Sequence, residues 1–307
     1  MKDLSSRVKD VRGYGCVILA AALWASSGSF SKYLFTKGSI TTFDLVQARI
    51  TLASIFLFLI IFFTDRSKLR ISRKSIGYFF WLGFVGMALV QFTYLYAISK
   101  INVASAILIQ YLAPAFIAIF FLMTGREKIS RITVAALLMS ISGCFFVAAG
   151  KKLGLGDMNK AGVISALCSA LTFAFYSVKG EEGMKKYDPS TVLLYALIFA
   201  AAAWNIFRFP FSWVSSDLDM LSVAAIIYIA VMGTIVPFLL YFWGIKMIRP
   251  TNACITATIE PIIAGIISWL LVGEKMDAVQ ISGGVLVICS VVLLQLKSAS
   301  VNKPSYP

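Results

Sequence analysis

Residues 111–128, YLAPAFIAIFFLMTGREK, and residues 258–275, TIEPIIAGIISWLLVGEK, share one plan: a proline in an apolar run that ends at a Glu-Lys corner, offset by 147 positions. The same offset pairs Gly15 with Gly162, Gly86 with Gly233, Tyr94 with Tyr241, Ile98 with Ile245 and Ile119 with Ile266, with no gap. Apolar runs matched by chance would not align proline, glycine and Glu-Lys together. The chain therefore reads as two copies of one unit, and the rest of the sequence is read from that.

Of the 307 residues, 59% are hydrophobic and 14% charged, whereas soluble proteins carry about 25% charged residues. The apolar residues are gathered into runs long enough to cross a hydrocarbon core of about 30 Å, which excludes an ordinary soluble protein. The pattern predicts an all-α integral membrane protein of ten transmembrane helices, in two five-helix halves: 14–35, 43–63, 76–98, 103–124 and 132–149, then 161–178, 191–209, 221–243, 252–272 and 278–296. The first repeat occupies 13–150 and the second 161–296. Five is an odd number, so the second copy enters the membrane from the opposite side, and the halves are inverted about an axis in the membrane plane. Such a scaffold offers two packings of similar energy, each opening a midplane site to one side.

Basic residues set the orientation, because Lys and Arg beside spans are retained in the cytoplasm. One face collects 19 of the 28 and the other 8, with Arg49 inside a span. Both termini are predicted cytoplasmic, and the first span is read as retained rather than as a cleaved leader. The net charge of +14 needs no nucleic acid to explain it, since it is spread over short connections. There is no histidine, hence no imidazole base or His-ligated metal. The five cysteines fall inside apolar runs without C-x-x-C spacing, which suggests neither disulfides nor a metal site. No phosphate loop is present. No cofactor or metal is expected.

These residues carry a family resemblance. The small-residue first span with Ala22-Leu23-Trp24-Ala25, Arg49 in the second, the Ala113-Pro114 and Glu260-Pro261 steps, and the Gly125-Arg126-Glu127 and Gly273-Glu274 corners resemble a ten-helix, EamA-type member of the drug/metabolite transporter superfamily. The resemblance runs from about Gly13 to Leu296. It implies a carrier of amino acids, other metabolites or toxic compounds, without saying which. Glu260 has no acidic counterpart in the first half, where Ala113 stands.

Glu260 lies about 12 Å into its span, where a charged carboxylate costs on the order of 3 kcal/mol to insert. It is therefore paired, wet or protonated. It serves either as a proton-coupling or substrate-amine group, or as a neutral group satisfying carbonyls freed by Pro261. Pro114 and Pro261 are candidate hinges, or else fixed bends, at matching depth. Pro237 is a third proline with no partner, since Val90 matches it. Arg49, about 9 Å deep, reads as a structural charge that snorkels or pairs with Asp44 or a loop carbonyl, with substrate contact as the alternative.

Trp24, Ser26, Ser27, Gln91, Tyr94, Gln110 and Tyr111 in the first half, with Thr172, Tyr176, Tyr241, Trp243 and Thr256 in the second, are candidates to line a substrate cavity. Amides, hydroxyls and rings suit a small, partly apolar or zwitterionic solute. Helix contacts and an interfacial aromatic belt are the competing roles. The expected partners are a small-molecule substrate, the lipid bilayer and protons as the coupling ion. The expected function is secondary active export of amino acids or related metabolites across the plasma (inner) membrane. Nucleotide-sugar exchange is the runner-up, and a lipid-modifying membrane enzyme or a passive channel are the readings from other classes.

Overall fold

In the computed structural model the apolar runs become helices, described for residues 2–38, 40–101, 103–125, 130–149, 159–214, 218–272 and 277–301. The rods are α1 (Lys2–Lys37), α2 (Thr42–Thr64), α3 (Ile76–Trp81, Leu82–Ala88 and Leu89–Lys100, end to end), α4 (Val103–Gln110 and Ala113–Thr124) and α5 (Arg131–Ala149). They continue as α6 (Lys160–Gly183), α7 (Pro189–Phe207), α8 (Met220–Ala230, Val231–Ile235 and Val236–Ile248, end to end), α9 (Pro250–Ala257 and Glu260–Val272) and α10 (Ala278–Val301). Among the described residues, seven helices are long and apolar enough to cross a membrane, Arg131–Phe146 and Ala278–Leu294 are shorter apolar helices, and α9 is divided into two pieces. By length and hydropathy, seven of the ten rods reach a full crossing among the described residues. Arg126, Glu127, Lys128, Gly273, Glu274 and Lys275, the residues of the two corners past Gly125 and Val272, lie outside the described residues.

Local chemistry starts and stops the rods. Thr41, Asn159, Asp188 and Asp219 each accept a backbone N–H of the following helix, satisfying one of the donors every helix start leaves free. At α10 the cap is reciprocal: Asp277 accepts from Val279 and Gln280, and Gln280 accepts from the Asp277 N–H, as in a capping box. Several rods outrun their apolar stretches. α6 continues past Val178 to Gly183 and α8 past Trp243 to Ile248, because a helix leaving the hydrocarbon need not stop where its hydrophobicity does.

The packing repeats with the sequence. α1 lies on α8 as α6 lies on α3, α4 on α6 as α9 on α1, and α3 on α7 as α8 on α2, while α2 with α7 and α5 with α10 are pairs that exchange with themselves. Irregularities repeat too. Leu82–Ala88 and Val231–Ile235 are both π-wound, so α3 has the distortion of α8 without a proline at Val90. α4 tightens at Leu112 and α9 at Thr258-Ile259, where backbone N–H groups bond three residues back. These sites are 147 residues apart. Each proline follows within the first turn of the next piece, where a missing N–H costs little. Pro114 and Pro261 therefore follow a break, rather than kink a continuous helix.

Close contacts use small residues, as membrane helices do. A Cβ on Gly143 of α5 would stand 2.7 Å from the Gly283 carbonyl of α10. α2 and α7 are joined by a polar clamp in which Gln47 donates to Asn205 (3.1 Å) and Asn205 to Thr51 (2.9 Å). Gly143→Ala is expected to lower stability by about 1–3 kcal/mol through overpacking. Gly77→Ala, whose Cβ meets nothing within 4 Å, is expected to be neutral, and thermal unfolding in detergent compares the two.

Candidate functional site

The breaks and π turns bring polar side chains to one point in the bundle. α1 supplies Trp24 and Ser27, α2 Arg49, α3 Val90, Gln91 and Tyr94, α4 Gln110 and Tyr111, α6 Phe173, α8 Phe238 and α9 Glu260. About 40 Å³ between them is open to the centre of a water-sized sphere, against roughly 10–15 Å³ for a single water. A metabolite pocket needs roughly 300 Å³ or more, so the helices are closed here and must part to take a solute.

Two ionisable groups of opposite type face this space, each held by neutral partners. Glu260 is 5% exposed, and its Oε2 accepts the Tyr111 hydroxyl at 2.6 Å. It opens the second piece of α9, so the positive end of that helix dipole favours the carboxylate. The Tyr94 hydroxyl faces the same carboxylate without completing a hydrogen bond. Arg49 is 3% exposed and donates from Nε to Thr234 Oγ1 at 3.1 Å and from Nη2 to the Gly233 carbonyl at 2.9 Å. It neither snorkels nor meets Asp44. That carboxylate is held by Arg208 at 3.0 Å, because α7 ends beside the start of α2.

One wall is aromatic. The Trp24 ring lies 5.1 Å from Phe238, 5.3 Å from Tyr241 and 5.9 Å from Phe173, and Phe173 stacks on Tyr241 at 5.2 Å. The indole N–H of Trp24 is buried without a partner. A buried unpaired donor of this kind calls for a water or a ligand.

Trp24, Ser27, Gln91, Tyr94, Gln110, Tyr111 and Glu260, all read from sequence as candidates, line the cavity. The remaining candidates do not. Thr172 and Thr256 bond back to their own helices. Ser26 pairs with Tyr228. Tyr241 donates to or accepts from Ser177 behind the aromatic wall, and Tyr176 stacks there on Phe242. Trp243 is 40% exposed with the Lys246 ammonium over its ring, an interfacial position. Phe173, Phe238 and Val90 were missed because an apolar residue in an apolar helix carries no signal. Arg49 did carry one, since an ionisable residue inside a span is functional by default.

Ion pairs tie the rods at both ends of the bundle. Lys37 at the end of α1 meets Asp219 before α8 at 2.7 Å, and at the opposite face Arg249 meets Glu181 of α6 at 3.1 Å. Hydrogen bonds from Lys37 and Ser222 hold the Asp219 carboxyl down at about 2.

Compared with known proteins, residues 11–149 and 160–296 each match the model of the EamA-like transporter family. The chain is 27% identical over 288 residues to an uncharacterized inner membrane transporter of Salmonella typhimurium, YicL, covering 92% of this chain and 94% of that one. It is 28% identical over 213 residues to an uncharacterized transporter of Archaeoglobus fulgidus, covering 68% and 74%. A crystal structure shares the fold at a TM-score of 0.73 and 19% identity, covering 96% of this chain and 99% of that one.

The Tyr111–Glu260 bond joins the two halves. A double-mutant cycle of Tyr111→Phe and Glu260→Gln, read by thermal unfolding, is expected to show a coupling of about 0.6–1.7 kcal/mol, the range for hydrogen bonds between membrane helices. Strict additivity would rule the bond out.

Proposed function

This chain belongs to the EamA-like transporter family, and we propose that it is a secondary transporter exporting amino acids or related zwitterionic metabolites across the plasma (inner) membrane, with both termini in the cytoplasm. One observation carries the substrate class. A guanidinium and a carboxylate face the same small cavity, and neither is neutralised by the other. An α-carboxylate suits Arg49, because a guanidinium presents a fork of donors to a carboxylate. An α-ammonium suits Glu260, and the wall of Trp24, Phe173 and Phe238 suits an apolar side chain. Among the described residues lining the cavity Arg49 is the one cation, which serves a single carboxylate better than the two phosphates of a nucleotide sugar.

The same contacts supply a cycle. Arriving substrate competes for the Arg49 N–H groups that now hold the carbonyl and hydroxyl of the α8 π turn, so binding loosens that turn. Glu260 takes either a proton or the substrate ammonium, never both. Substrate leaving on one side is then exchanged for a proton, and net export runs on the proton gradient. Pro114 and Pro261, just past the breaks in α4 and α9, are the hinges of this movement.

Counterflow into proteoliposomes loaded with unlabelled amino acids tests the reading. At least one labelled amino acid is expected to accumulate transiently, and its decarboxylated amine and its N-acetyl form to compete at least about tenfold more weakly, the loss of one charged hydrogen bond. Glu260→Gln is expected to keep exchange but lose acceleration by a pH gradient, and Arg49→Met to abolish uptake. If the amine competes as well as the amino acid, Arg49 does not hold a carboxylate. If no amino acid accumulates, the substrate is of another class.

A further inference from the structure

We propose that the membrane-facing groove between α2, α3 and α7 binds one acyl chain of an anionic glycerophospholipid, with the lipid phosphate against Arg208. This does not depend on which solute the central cavity carries. The groove has about 550 Å³ of space, more than ten times the central cavity on the same measure. Its floor is made of Phe84, Ala88 and Phe92 of α3 and of Ala203, Trp204 and Phe207 of α7, and Phe43 and Arg208 stand at its mouth. From Phe84 to Phe92 it follows eight residues of helix, about 12 Å. Half of a 30 Å hydrocarbon core is about 15 Å, so the groove has the depth of one leaflet.

Its polar groups sit where a lipid changes from chain to headgroup. Arg208 follows the last residue of α7 and faces the start of α2. One of its nitrogens, Nη1, is taken by Asp44 at 3.0 Å, and the guanidinium lies 5.8 Å over the Phe43 ring. A guanidinium has five N–H donors, and its remaining ones make no hydrogen bond among the described residues, leaving them for a phosphate. Trp204, packed on Phe92 and Phe43, keeps its indole N–H buried without a partner. An ester carbonyl of the lipid glycerol supplies the missing acceptor.

The internal repeat provides a control. At the offset of 147, Ala203 corresponds to Phe56, Ala88 to Ile235 and Arg208 to Ile61. The equivalent place in the other half thus has Phe56 and Ile235 where the groove has its two alanines, and no cation at the position of Arg208. The fold does not fix these three residues, and they distinguish the first-half location.

The test adds phosphatidylglycerol to the delipidated full chain in detergent and counts bound lipid by native mass spectrometry. One lipid is expected to stay on the unaltered protein under conditions that strip the rest. Ala203→Phe, which copies the other half, is expected to lose it. Arg208→Gln is expected to weaken it about fivefold, the effect of one basic residue on an anionic lipid. Inorganic phosphate alone is expected not to displace it. Equal retention by the unaltered protein and Ala203→Phe would overturn the proposal, as would displacement by free phosphate, which would mark an ion site rather than a lipid site. Phosphatidylcholine binding as tightly as phosphatidylglycerol would remove the anionic headgroup. Should Ala203→Phe fail to fold, quenching of Trp204 fluorescence by lipid brominated along its chain decides. The quenching lost in Trp204→Phe measures the contact, and no difference between the two proteins would overturn the proposal.

Discussion

Two ionisable side chains of opposite type, held inside an apolar bundle by neutral groups, constrain everything else in this structure. A charged side chain at the centre of a bilayer costs several kcal/mol unless it is satisfied. The cheapest arrangement would pair Arg49 with Glu260. Instead Arg49 is satisfied by a carbonyl and a hydroxyl of α8, and Glu260 by a tyrosine of α4 and the start of its own helix. Two local features leave those partners available. In α8 the ladder donor for the Gly233 carbonyl would be Pro237, which has no N–H, so that carbonyl is left for Arg49; a continuous α9 would give Glu260 no helix start. A proline and a helix break are thus the means by which an apolar bundle keeps two ionisable groups.

The irregularities obey the repeat and the charges do not. π winding occurs in α3 as in α8, and the tightened turns of α4 and α9 lie at matching positions. Yet Arg49 corresponds to Ala196, and Glu260 to Ala113. The repeated scaffold thus carries one buried basic group in the first half and one buried acidic group in the second, with no counterpart for either. Under the proposed function, a solute bound between them would contact both halves with opposite ends and could not remain fully bound while the halves part, which would tie occupancy to conformation.

How much of this was legible depends on whether a feature is written in residue type or in geometry. The two halves, the helical class and most cavity residues follow from proline, glycine, amide and hydroxyl positions in an apolar background. Arg49 was visible as a buried charge, and a carbonyl partner was among those expected, but Asp44 is near in sequence while Thr234 and Gly233 are near only in space. Gln47 and Asn205 were passed over for the same reason, as each needs the other helix to make sense. The π turns have no local signature here. Pro237 marks one of them, and the other forms without a proline, as the neighbouring glycines allow α6 and α7 to press against α3. Phe173 and Phe238 differ from the exposed rings of the same bundle only by which way their helix faces.

The same helices face both the cavity and the bilayer, and this gives the π-wound rods their importance. α3 presents Val90, Gln91 and Tyr94 inward and Phe84, Ala88 and Phe92 toward the groove with α7. A π turn holds one more residue than an α turn, and such insertions gather at functional sites. Shifting it changes which side chains of the following turns face in and which face out. For α8 the competitor for the turn is Arg49. For α3 the equivalent position on α7 is Ala196, and a Cβ on Gly83 would stand 2.8 Å from the Ala196 carbonyl, so that rod is pinned by backbone contact instead of by a charge. The two rods are therefore not equally free. The turn of α8 is held by two hydrogen bonds that a competing acceptor could exchange, whereas α3 is held by close packing against α7, so the proposed cycle would begin at α8.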